Sequence, residues 1–123
     1  MQSVAVAMGG ALGAVMRFWV SGWFHSMFGR AFPYGTLFIN VTGSLLMGFL
    51  YVLIVERSSL SEEWRAVILI GFIGAFTTFS TFSIETLSLI EQGERFKAIL
   101  NVGLSVVLCV FGTWVGTLLG RQL

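Results

Sequence analysis

Residues 71–86 carry the groups that could do chemistry. Between Gly71 and Glu85 the chain places hydroxyls at Thr77, Thr78, Ser80, Thr81 and Ser83. They alternate with Phe76, Phe79 and Phe82, and a second glycine stands at Gly74. Hydroxyl side chains bond nearby backbone and compete with the helix ladder. Glycine lets the backbone leave helical geometry. At membrane depth, irregular backbone survives only where it is buried in protein or lines a cavity, and such breaks commonly form ion sites. The stretch therefore reads as a membrane helix broken near its middle. A break between Gly74 and Thr78 frees main-chain carbonyls, which suit a hard cation. Phe79 and Phe82 lie three residues apart on one helical side, as do Phe76 and Phe79. A phenyl ring is positive at its edge, so edge-on rings can contact an anion. Packing or lipid contact is the plainer reading for any one of twelve phenylalanines. Glu85 is the one acid deep in the segment: an ion or proton site, or a capped group.

Composition sets the medium in which this stretch must sit. The 123 residues are 56% hydrophobic and 11% charged, with mean hydropathy +0.90, against about 25% charged in soluble domains. An integral membrane protein of all-α class follows. A net charge of +1 argues against nucleic acid as a partner. One cysteine, Cys109, permits no internal disulfide, and with the single His25 it cannot build a His/Cys metal site. No nucleophile–base pair is visible, which argues against an enzyme. The N-terminus lacks the basic region of a cleavable signal.

Four apolar spans are expected at about 4–24, 37–55, 66–90 and 96–119, each near the roughly 20 residues a bilayer requires; together they make one domain. The first holds Gly9 and Gly13, a small-residue face for close helix approach. It also holds Arg17, which either faces protein or water or snorkels to an interface. Thr36 stands near the expected start of the second span. Asn40 within that span needs partners, since an unpaired buried amide costs roughly 1–3 kcal/mol. It either bonds a neighbouring helix or lines a polar path. Ser61 with Glu62 and Glu63 suits a helix N-terminus, and Trp64 an interfacial anchor. In the fourth span Asn101, Ser105 and Cys109 share one face at four-residue spacing. Gly112, Gly116 and Gly120 form a second, packing face.

Four spans put both termini on the side of the 56–65 loop. That side carries Arg57, Arg65 and Arg121; the other carries Arg30, Arg95 and Lys97. Orientation follows an excess of Lys and Arg on the cytoplasmic side, and here there is none. Either the orientation signals are hidden, or the chain inserts in both directions, which would permit an antiparallel homodimer. Four short helices are also few to enclose a path.

The motif from Gly71 to Glu85, with Gly35 to Asn40 and Gly9 to Gly13 plus Arg17, closely resembles the Fluc (CrcB) family of fluoride channels over essentially the whole chain. The resemblance implies an antiparallel, dual-topology homodimer with two pores in the bacterial inner membrane, passively exporting fluoride and lowering its cytoplasmic level. It implies a structural sodium ion at the dimer centre, held by the main-chain carbonyls of Gly74 and Thr77 of both subunits. It places Phe79, Phe82, Asn40 and Ser105 along the pores. Glu85, Thr81 and Arg17 follow as weaker pore or vestibule positions. Ala75 departs from the pattern, standing where a second glycine is frequent. The partners implied are a second copy, fluoride and the lipid bilayer. The alternative is a small dual-topology, proton-coupled exporter of drug-like cations; such chains carry an acid in the first span, where this one has Arg17.

Overall fold

A computed structural model describes all 123 residues, and every regular element in it is helical. Helix α1 is Gln2–Phe28 and α2 is Tyr34–Tyr51, running on into a π-helical turn, Val52–Glu56. The third segment begins as α3, Glu62–Arg65, continues as a π-helical run, Ala66–Ile73, and ends its first half as α4, Gly74–Phe76. Helix α5, Phe79–Glu91, follows, and α6 is Arg95–Gln122. Four segments are long and apolar enough to cross a membrane: Gln2–Phe28, Tyr34–Glu56, Glu62–Glu91 and Arg95–Gln122. They extend past the apolar windows at both ends because polar loop residues continue the helical turns. Helix α2 opens at Pro33–Tyr34, two residues before Thr36; a proline suits that boundary because it lacks an N–H to leave unpaired. Thr36 is instead buried within the first turn.

Two seams of glycine hold the segments together. α1 packs along the first half of the third segment. A Cβ added at Gly9 would overlap the Val67 carbonyl, and one at Gly13 the Phe72 carbonyl. Gly71 answers from the other side, where a Cβ would lie 2.8 Å from the Val6 carbonyl oxygen. α2 packs along α6. Gly48 faces the Thr113 carbonyl, while Gly112 and Gly116 face Val41 and Leu45, and Gly120 faces Phe49 and Val52. The matched order along both helices makes them parallel. Small residues at a membrane helix crossing bring backbones close and maximise dispersion contact, which is what drives association in lipid. Gly116→Ala is therefore expected to destabilise the fold by about 1–3 kcal/mol through overpacking. Gly103→Ala, where a Cβ meets nothing within 4 Å, should be neutral. Equal unfolding midpoints for the two variants in detergent would show that the seam bears no strain.

Polar contacts at the segment ends fix which loops share a side. Gln2 Nε2 donates to Glu62 Oε2 at 2.9 Å, tying the N-terminus to the start of α3. The Arg57 guanidinium donates to the Gly120 and Leu123 carbonyls at 2.8 and 2.9 Å, closing the C-terminus of α6 on the same side. A cation there also opposes the negative end of the helix dipole. Ser61 Oγ accepts from the Trp64 N–H and starts α3. At the opposite end an aromatic cluster of Trp23, Phe24, Phe28, Phe32, Tyr34 and Phe38 surrounds the 29–33 loop, as aromatic side chains do at a membrane interface.

Candidate functional site

Between α4 and α5 two residues leave helical geometry. Thr77 has φ −79° and ψ 158°, and Thr78 has φ −151° and ψ 120°. Two side chains from other segments take up the backbone groups this releases. The Thr78 N–H, which in a continuous helix would bond the Gly74 carbonyl, instead donates to Asn40 Oδ1 at 2.8 Å. Asn40 Nδ2 donates back to the Thr78 carbonyl at 2.9 Å. The amide of Asn40 thus pairs with both backbone groups of one residue, as a residue of a neighbouring strand would. Arg17 Nε donates to the Ala75 carbonyl at 3.0 Å, placing a cation at the C-terminal, negative end of the half-helix. Arg17 therefore faces protein rather than snorkelling. α5 then restarts with Thr78 as its cap: Thr78 Oγ1 accepts from the Thr81 N–H and donates to Thr81 Oγ1.

The break borders two cavities, and a third lies beyond it. The first, about 450 Å³, is lined by Asn40, Phe79, Phe82 and Ser105, together with Thr77, Thr78 and Cys109. The four residues expected along a pore are thus brought together. Ser105 is buried, and its Oγ has no hydrogen-bond partner. Phe79 and Phe82 have ring centroids 5.4 Å apart, tilted by 43°, and Phe79 is 77% exposed. A second cavity, about 610 Å³, is lined by Arg17, Thr81, Thr36, Ser21, His25 and Arg30. Thr78 is common to both walls. Glu85 lies in neither. It lines a third cavity of about 150 Å³ with His25, Arg30, Ser88 and Gln92, and its buried Oε1 has no partner. His25 and Arg30 line the second and third cavities alike.

Some readings change in the structure. Phe76 does not share a face with Phe79. The extended Thr77 and Thr78 rotate the two apart, and Phe76 is buried and stacked on Phe72 with 6.2 Å between ring centroids. Asn101 shares a helical face with Ser105 and Cys109, yet it is fully buried and its Nδ2 donates to Thr86 Oγ1 at 2.9 Å, joining α6 to α5. Sequence reasoning passed over Ser44 and Thr113, which also line the first cavity. Both were within reach of the pattern, since Thr113 continues the four-residue register of Asn101, Ser105 and Cys109, and Ser44 stands one turn after Asn40.

No three His, Cys, Asp or Glu side chains gather into a metal-binding group. The oxygens offered to a cation are main-chain ones. The Gly74 carbonyl has lost the Thr78 N–H to Asn40, Gly74 lies on the open surface of the chain, and Thr77 carries its carbonyl on extended backbone. Uncharged carbonyl oxygens are the donor type that suits an alkali cation.

Residues 4–117 match the profile of the family described as CrcB-like protein, Camphor Resistance (CrcB). The chain belongs to this family. It is 60% identical over 119 residues to the fluoride-specific ion channel FluC of Methylococcus capsulatus, covering 97% of this chain and 52% of that one. It is 52% identical over 124 residues to the fluoride-specific ion channel FluC of Coxiella burnetii (strain Dugway 5J108-111), covering the whole of both. With the Geobacter sulfurreducens protein of the same description it shares 48% identity over 120 residues, covering 98% and 97%. The chain thus spans about half the length of the M. capsulatus relative and all of the C. burnetii one.

Proposed function

We propose that this chain is a subunit of a passive, fluoride-selective channel of the bacterial inner membrane, which lets fluoride out and lowers its cytoplasmic level. The observation that carries the reading is the first cavity, where Asn40, Phe79, Phe82 and the unpartnered Ser105 hydroxyl meet at the break. CrcB relatives described as fluoride channels, similar over the full length, supply the identity of the anion. Fluoride is small and holds its water strongly, so a path must replace that water with donors. Asn40 uses one Nδ2 hydrogen on Thr78 and keeps the other. Ser105 Oγ has its proton free, and the ring edges of Phe79 and Phe82 add positive potential. The second cavity sets the guanidinium groups of Arg17 and Arg30 where an anion would enter, and Thr78 is common to its wall and that of the first.

Two copies in antiparallel arrangement complete the reading. Under a third of each segment's apolar window is buried within one chain, while Gly74, Phe79, Ser80 and Ser83 lie uncovered at membrane depth. A second copy would cover them. It would also bring a second Gly74 and Thr77 to the break, and four carbonyl oxygens would then hold a structural sodium ion, whose charge offsets the carbonyl dipoles beside the anion path. Arg57, Arg65 and Arg121 at one end balance Arg30, Arg95 and Lys97 at the other, leaving orientation without a bias. A reporter fused to the C-terminus is expected on both sides of the membrane, and its appearance on one side alone would remove dual insertion.

The test of the function is efflux from liposomes containing purified protein, read with a fluoride electrode. Fluoride should leave when an ionophore balances charge, chloride should not, and an imposed proton gradient should drive nothing. Flux driven by the proton gradient would replace the channel with an exchanger.

A further inference from the structure

The single thiol of the chain stands in the wall of the first cavity, and nothing in the channel reading requires one there. Cys109 is free and partly exposed, and lines the same space as Asn40, Phe79, Phe82 and Ser105. Its level follows from the packing of α2 on α6. These helices run parallel, with Gly112 at Val41 and Gly116 at Leu45, and Thr113 Oγ1 donates to the Ser44 carbonyl at 3.1 Å. One turn earlier on each helix are Cys109 and Asn40, so the thiol is level with the amide that clamps the break. A second observation marks this wall as a place where something binds. Ser105, one turn before Cys109, is 8% exposed, and its Oγ finds no partner in the protein. A buried hydroxyl left so is costly unless a ligand or water takes its proton.

We propose that Cys109 is a modification site in the wall of the conduction path, at which a small thiol-reactive electrophile of the thiosulfonate or low-molecular-weight disulfide class forms an adduct that stops flux. The inference rests on the channel reading above. In the step, the Cys109 sulfur, as thiolate, bonds to the sulfenyl sulfur of the reagent. The reagent's own S–S bond breaks, the leaving group (a sulfinate from a thiosulfonate, a thiolate from a disulfide) takes the bonding pair, and the thiol proton goes to water. The adduct projects one turn from Ser105 and level with Asn40, where an anion must exchange its water for protein donors. A dithiol reductant reverses the step by thiol–disulfide exchange.

The experiment uses the full chain and methyl methanethiosulfonate, which is neutral and small. Labelling of the folded protein is read by intact mass, and fluoride efflux is measured before labelling, after it, and after reduction. Labelling should lower efflux to the background of empty liposomes, and reduction should restore it; Cys109→Ser should conduct equally with and without the reagent. Complete labelling with undiminished flux overturns the proposal. So does flux that reduction fails to restore, which marks a disrupted fold, and so does a thiol that labels only after denaturation. Equal loss of flux in Cys109→Ser overturns it as well. Absence of fluoride flux from the untreated protein would instead fall on the channel reading, and labelling by mass is read independently of it.

Discussion

Asn40→Leu is expected to lose fluoride efflux altogether and to weaken the fold by up to about 2–6 kcal/mol, since a fully buried backbone group left unpaired costs about 1–3 kcal/mol and the two Thr78 groups are half-buried. Leucine matches asparagine in size but can neither accept from the Thr78 N–H nor donate to the Thr78 carbonyl, both now served at under 3 Å. Water in the adjoining cavities could replace those bonds only in part, because the Thr78 groups are half-buried. The extended Thr78 then has no reason to stay extended. The segment gains by returning to helix, where the Thr78 N–H reaches the Gly74 carbonyl, and the cavity between Asn40 and Phe79 closes. Asn40→Asp separates the two roles of the side chain. A carboxylate still accepts from the Thr78 N–H, but it faces the Thr78 carbonyl and an approaching anion with negative charge. It should keep more of the fold than leucine does and conduct no better. Unfolding in detergent and efflux from liposomes check both variants. A leucine variant with unchanged midpoint and unchanged flux would show that the break holds without its clamp.

The clamp shows how far the residues alone could be read. Hydroxyls, glycines and phenylalanines packed into 71–86 announced a discontinuity in an apolar segment, because no residue pattern suited only to lipid needs them. Asn40 announced that it needed partners but not which ones. A polar group in a membrane helix bonds a neighbouring helix or lines a path with the same sequence signature, and here it does the first while bordering the cavity of the second. Arg17 was ambiguous for the same kind of reason, since a long stem reaches an interface as easily as a carbonyl; only the approach of α1 at Gly13 to Phe72 and Phe76 brings Ala75 within its reach. The glycine seams were legible as faces, whereas their partners were not, because spacing gives the direction of a face and not what meets it. The π-helical run Ala66–Ile73 has no local signal at all. Phe76 was misplaced because a helical register was carried across a break that resets it. A face is lost wherever two residues turn extended.

Phe79→Ile and Phe82→Ile are expected to bring efflux down to the background of empty liposomes, each acting alone, though they differ in what they do to the fold. Phe79 is 77% exposed within the chain, so its replacement should move stability by no more than about 0.5 kcal/mol, as surface substitutions do. Phe82 is half-buried and packs against Phe79, and isoleucine there should cost about 1–2 kcal/mol in lost area and packing. Isoleucine is apolar and of similar width, so it leaves the cavity dry and narrow but removes the ring quadrupole. If apolar width alone carried the anion, isoleucine would serve. If the ring edges supply positive potential in place of water, it cannot. The pair stands 5.4 Å apart, close enough for an anion to touch one ring before it leaves the other, and the two losses should therefore not add in the double variant. Phe111→Ile offers the control, because Phe111 is 54% exposed and pairs with Trp114 outside the three cavities; it should conduct as the parent does. Undiminished flux in both Phe79→Ile and Phe82→Ile would take the rings out of the mechanism and leave the anion to Asn40 and Ser105.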